Sequence, residues 1–174
     1  MQAKRGGMME QEKKKIRFSE VKLLVLDFDG VLTDNNVYVS EDGKESVCCS
    51  RSDGLGIEMV QSRGIPVVVL SKEKNKVVKA RCRKLRVRVT QGIDEKLSEL
   101  KRIAANANVS PRQVCYLGND VNDLECVEFA GAGCAVNDAH PALRNAADYV
   151  TRNTGGHGAV REICECILER ADER

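Results

Sequence analysis

The chain has 174 residues, 42% hydrophobic and 31% charged, with a formal net charge of +2. That length suits one ordinary domain with its own core and leaves no room for a second. The near-neutral balance excludes both a broad basic field for nucleic acid and the acidic excess of a disordered chain, and no apolar run approaches the roughly 18 residues of a membrane span.

Residues 1 to about 19 are rich in Lys, Glu, Gln and Gly and predict a flexible leader before a folded unit over 20–174. The leader lacks the apolar centre of a secretory signal, which places the protein in the cytoplasm. Its basic run is short and has no interleaved aromatics, so nucleic acid is not an expected partner.

From Val21 the pattern changes to short β-rich apolar runs separated by amphipathic segments. The run "VKLLVLDF" predicts a first strand ending in Asp27-Phe28-Asp29-Gly30. Alternating residues around Asp42-Gly43 predict a hairpin from Val37 to Ser50. A helix over Gly54 to Arg63, stopped by Gly64, leads to the strand "IPVVVLS", which ends at Ser71. Then come a helix over Asn75 to Leu85, the strand "VRVTQGI", and a helix over Glu95 to Ala107 with Lys96 in its first turn. The strand "QVCYLGN", a helix over Asp120 to Ala130, the strand "GCAVND" and a terminal helix from about Gly158 to Glu169 complete the pattern. Such alternation predicts a Rossmann-like α/β fold, a parallel sheet with helices on both faces. No segment is long enough for a separate cap domain.

Eight cysteines are scattered with no CxxC pair, and His140 and His157 are the only histidines. Most of the cysteines sit among apolar or small residues, so we expect core thiols rather than a zinc site or disulfides.

In an open α/β sheet, ligands bind at the carboxyl ends of the strands. Four sets of polar residues fall there: Asp27 and Asp29, Ser71, Lys96, and the stretch "GNDVND" beginning at Gly118. Residues two apart on a strand face the same way, so Asp27 and Asp29 would present two carboxylates to one cavity. Crowded carboxylates need a cation, and magnesium with oxygen ligands meets that need while bridging readily to phosphate. Lys96 adds positive charge for the same anion, Ser71 a hydroxyl donor, and Gly30 close backbone approach. Each feature alone has a plainer explanation, as a turn cap, a helix cap or a solvated side chain. Together they occupy one edge of the predicted sheet.

In this order, "DFDGVLTD", Ser71, Lys96 and "GNDVND" resemble the four motifs of the haloacid dehalogenase superfamily of phosphotransferases, over about Val21 to Leu168. The resemblance implies the capless form of that fold, with an inserted β-hairpin. It implies Asp27 as nucleophile on phosphorus, Asp29 as acid and then base, Ser71 and Lys96 as holders of the phosphoryl group, and Asp123 as support for the metal and the lysine. Asp27, Asp29, Asn119, Asp120 and Asp123 are the candidate magnesium ligands. Asn119 stands where the family usually has an aspartate, and an amide oxygen carries no charge, so either the metal is held more weakly or Asp120 or Asp123 compensates.

Within the superfamily, the absent cap, the hairpin and the tail "GGHGAVRE" (Gly155 to Glu162) resemble phosphatases of 3-deoxy-manno-octulosonate 8-phosphate or of nonulosonate 9-phosphates. In those relatives the hairpins build a tetramer and the tail reaches a neighbouring subunit's site, which implies a homotetramer and an anion contact from Arg161. Octulosonate phosphatases typically have Gly-Arg after the second motif. This chain resembles the nonulosonate type in having Glu73, Arg81 and Lys84, which implies Glu73 as acceptor for sugar hydroxyls and Arg81 and Lys84 as cations for the substrate carboxylate, from the same chain or across a subunit boundary. The expected function is magnesium-dependent hydrolysis of a nonulosonate 9-phosphate. The alternatives are the eight-carbon substrate and an assembly module associated with an acylneuraminate cytidylyltransferase, since similar domains fused to those enzymes have in some cases lost the nucleophile.

Overall fold

The computed structural model describes residues 17–169. Six strands form one parallel sheet in the order β5 (Arg88–Gln91), β4 (Val67–Ser71), β1 (Leu23–Leu26), β6 (Val114–Gly118), β7 (Ala132–Ala135), β8 (Tyr149–Val150). A separate antiparallel ribbon of β2 (Thr33–Val39) and β3 (Glu45–Cys49) makes the predicted hairpin. It starts four residues earlier than the pattern suggested, and Ser50 belongs to the next helix as its N-cap.

β1 lies at the centre because all four of its residues are apolar and buried, a composition suited to a strand covered on both faces. The chain moves from β1 outward to β4 and β5, then returns across β1 to β6, β7 and β8. The order therefore reverses at β1, where a crevice opens beyond the strand ends. α1 (Arg51–Ser62) contacts α2 (Lys76–Leu85), and α3 (Lys96–Asn106) contacts α4 (Leu124–Phe129); with the strand order reversing at β1, the right-handed rule for parallel crossovers assigns the two pairs to opposite faces. α6 (Ala159–Glu169) packs against α1, and α5 (Pro141–Ala146) packs against α4.

Differences from the predicted elements lie at the ends. The domain begins earlier than residue 20, because Phe18 is buried in a 3-10 turn and stacks edge-on against Tyr149 at 5.6 Å. The rest of the predicted leader, 1–16, lies outside the described residues. α5 and β8 were not predicted, since elements of six and two residues carry too little periodicity to register. Five of the eight cysteines are buried as small hydrophobic residues, and the closest approach among them is Cys115 Sγ to Cys134 Sγ at 3.8 Å. Among the described residues no helix is long and apolar enough to cross a membrane.

Candidate active site

A cleft of about 400 Å³ opens beyond β1, β4 and β6, and Asp27, Asp29, Ser71, Glu73, Lys96, Asn119 and Asp120 all line it. Asp27 and Asp29 share the cleft, but not through strand geometry. β1 ends at Leu26, and the backbone then turns, with Phe28 O accepting from the amides of Val31, Leu32 and Thr33. Phe28 is driven inward by its ring and is fully buried, while the acids on either side of it face the cleft.

The turn is held by its own sequence. Thr33 is buried, and its Oγ1 accepts from Gly30 N at 3.0 Å and Asn35 N at 3.2 Å. Gly30 adopts φ +70°, and a side chain there would collide with the amide of Asn119. Gly155 presses on the same turn from the tail: a Cβ on it would strike Gly30 O, while Gly156 N donates to Val31 O at 3.0 Å. The tail thus buttresses the acid-bearing turn of its own chain.

At the floor, Lys96 Nζ lies 2.9 Å from Asp27 Oδ1 and 2.7 Å from Asp123 Oδ1, all three groups being buried. Tyr116 donates its hydroxyl to Asp123 Oδ1 at 2.7 Å, and Asn119 N donates to Asp123 Oδ2 at 2.9 Å. Of the two tasks expected of Asp123, metal and lysine, these bonds commit it to the lysine: its carboxylate is enclosed and does not line the cleft. Tyr116 was missed because a tyrosine inside an apolar strand reads as core.

Charge is unbalanced at this floor. Burial first, and the neighbouring Asp123 carboxylate second, push Asp27 up to about 7, with Lys96 pulling the other way. Asp29 is raised by burial and then by Glu73. Lys96 is raised: burial opposes its charge, but Asp27 and Asp123 outweigh that opposition. One ammonium therefore serves two buried carboxylates with a third beside them, a set that a hard divalent cation would relieve. Asp27, Asp29, Asn119 and Asp120 line the cleft together and carry the oxygen donors that such an ion takes. Among the described residues no three carboxylate, imidazole or thiolate groups form a metal cluster by themselves.

The substrate residues expected from sequence divide. Glu73 lines the cleft, but its Oε1 accepts from Lys74 N at 2.6 Å and Asn75 N at 2.7 Å, which commits that oxygen to its own loop. Arg81 does not reach the cleft; its Nη2 donates to Ser50 O at 2.7 Å across the start of α1. Lys84 sits on the exposed face of α2, outside the cleft. Arg161 is also outside its own chain's cleft, paired through Nε with Glu165 at 2.6 Å, while its amide donates to the buried Asp53. Asn35, Lys72, Lys74 and Asn122 line the cleft and were not anticipated, although each is a close neighbour of a motif residue.

Residues 71–163 match the model of the haloacid dehalogenase-like hydrolases, more than half of the chain. The chain belongs to that family. It is 39% identical over 149 residues to the 3-deoxy-D-manno-octulosonate 8-phosphate phosphatase of Escherichia coli K12, covering 85% of this chain and 79% of that protein. A crystal structure of a Streptomyces avermitilis protein described as a hydrolase of the family is 46% identical, with TM-score 0.84 and 86% of both chains covered. The octulosonate 8-phosphate phosphatase of Moraxella catarrhalis, solved with magnesium, phosphate and the eight-carbon sugar acid, is 32% identical with TM-score 0.87 over 90% of each chain. The chain therefore falls in the capless, octulosonate-phosphatase-like branch and is a phosphoric monoester hydrolase.

Proposed function

We propose that this enzyme is a magnesium-dependent phosphatase of sugar-acid phosphates that works through a phosphoaspartate on Asp27. The observation that carries the reading is the convergence of Asp27, Asp29, Ser71 and Lys96 on one cleft at the reversal point of the sheet. Asp27 attacks phosphorus, and Asp29, whose carboxyl is raised by burial, gives a proton to the departing sugar oxygen. Asp29 then takes a proton from the water that hydrolyses the phosphoaspartate. Ser71 and Lys96 hold the phosphoryl oxygens, and Asp123 with Tyr116 keeps Lys96 aimed at the floor. Magnesium, held by Asp27, Asp29, Asn119 and Asp120, would neutralise charge on the phosphoryl group.

Within this class we favour a nonulosonate 9-phosphate, because Glu73 replaces the Gly-Arg pattern of octulosonate phosphatases and lies at the cleft. The names of the curated relatives favour the eight-carbon substrate as the second reading. The retained acids and Lys96 speak against a module that only assembles with a cytidylyltransferase. A homotetramer, supported by the exposed apolar hairpin, and a cytoplasmic location belong to the same proposal.

The test is phosphate release from both sugar-acid phosphates, with and without magnesium, by the wild-type, Asp27→Asn and Glu73→Gln proteins. Glu73→Gln keeps an acceptor for the loop amides, so it isolates the effect of charge on substrate choice. We expect magnesium-dependent turnover, none from Asp27→Asn, and a nine-carbon preference that narrows in Glu73→Gln. Turnover by Asp27→Asn would refute the covalent route, and an octulosonate preference in the wild type would return the enzyme to the eight-carbon substrate.

A further inference from the structure

Among the described residues, three that are not glycine adopt left-handed φ: Asn35, Arg86 and Asn108. Arg86 caps the end of α2 and Asn108 follows the cap of α3, where such a conformation is ordinary. Asn35, at φ +65°, instead sits in the first strand of the hairpin and lines the cleft. Glycine would take that conformation with less strain, so backbone geometry alone does not account for a side chain here.

The surroundings enforce the conformation. From Thr33 to Val37 β2 advances four residues while β3, from Cys49 to Val47, moves back two, so two residues bulge out of the ribbon. Thr33 Oγ1 accepts from the amides of Gly30 and Asn35 at 3.0 and 3.2 Å, which fastens the bulge to the acid-bearing turn. Gly156 closes on it from behind, where a Cβ would lie 2.5 Å from Asp34 N. Thr33 and Gly156 are both buried and belong to the same chain as Asn35, so these restraints hold whatever the subunit count. A strained residue persists where its neighbours over-determine it, and such residues gather at functional sites.

The bulge brings the carboxamide beside the general acid. A Cβ on Gly30, the residue after Asp29, would lie 3.2 Å from Asn35 Cγ. Among the described residues the carboxamide forms no hydrogen bond, although it offers both a donor and an acceptor. A hydroxyl group can use both at once, whereas an ionised carboxylate offers only acceptors.

We propose that Asn35 is a specificity-determining residue, binding the substrate hydroxyl on the carbon next to the ester carbon. This rests on the phosphatase reading above. Asp29 gives its proton to the departing oxygen, so the group that meets the neighbouring carboxamide is the alcohol end of the substrate. An ester lacking that hydroxyl leaves the carboxamide unpaired, and the enzyme thereby selects polyhydroxylated leaving groups.

The experiment compares kcat/KM for a sugar-acid phosphate and for its deoxy analogue without that hydroxyl, in the wild type and in Asn35→Gly, with the mass of each protein read by light scattering. Glycine keeps the left-handed backbone, so the variant removes the side chain alone. The wild type should prefer the hydroxylated ester. Asn35→Gly should lower the hydroxylated-to-deoxy ratio about fivefold at unchanged mass. An equal loss on both esters, a ratio within about twofold of wild type, or a wild type indifferent to the hydroxyl overturns the assignment of Asn35 alone. A change of mass in Asn35→Gly also overturns it, by placing the residue in a subunit contact. Hydrolysis of neither ester by the wild type refutes the phosphatase reading and this inference with it.

Discussion

Lys96 Nζ donates to Asp123 Oδ1 over 2.7 Å in a pair with almost no solvent exposure, and that contact joins the start of α3 to the loop after β6. Removing one member of a buried pair costs about 3–5 kcal/mol when it strands the other charge, but Lys96 keeps Asp27 at 2.9 Å, so the loss here should be smaller. Asp123→Ala should lose about 1–3 kcal/mol in urea unfolding, since the Tyr116 hydroxyl and the Asn119 amide are left without their acceptor, and should lower kcat by misplacing Lys96. Asp123→Asn keeps an acceptor and should lose less. A full Ala variant within about 0.5 kcal/mol of wild type would mean that the ammonium finds water instead.

Magnesium binding should depend on pH through Asp27. Burial and then Asp123 hold its carboxyl at about 7 in the metal-free protein, so below that pH a cation must displace a proton. Apparent affinity should rise as pH increases from about 5.5 towards 7, by up to ~10-fold per unit for one linked proton, then level off. Calorimetric magnesium titrations across this range check it, and a flat profile would show that the cation does not engage Asp27.

Asn119 lines the cleft with the same acids, its amide lying beside Gly30, and brings an uncharged oxygen to the set. Asn119→Asp should lower the magnesium concentration for half-maximal activity, because a charged ligand replaces a neutral one. It should also lower the metal-free Tm, since another carboxylate joins an already unbalanced cluster. Thermal melts with and without magnesium read both effects; an unchanged requirement would assign the ligand role to Asp120.

The hairpin leaves Tyr38 65% and Val39 66% exposed on a two-stranded ribbon that belongs to no larger sheet. Such a ribbon is marginal alone and presents open edges for pairing. Light scattering should find a tetramer in the wild type and smaller species in Tyr38→Ser/Val39→Lys. An active wild-type monomer at assay concentration would contradict the proposed assembly.

Apart from the short α5 and β8, the order of strands and helices was legible because each depends on local apolar patterning, and the four motif positions were legible because strand ends converge wherever the sheet is parallel. Residue types alone also located the acids, Ser71 and Lys96. What they could not show was how each side chain is spent. Asp27 and Asp29 share a cleft through a turn rather than a strand, because Phe28 gains more from burial than the backbone loses by leaving the sheet. The guanidinium of Arg81 is taken by Ser50 O, 31 positions away, and that of Arg161 by Glu165. Asp123 is enclosed by Lys96 and Tyr116. Charge type is a property of the sequence, but a partner brought from a distant segment decides whether that charge faces a substrate. Only the tertiary structure supplies the partner.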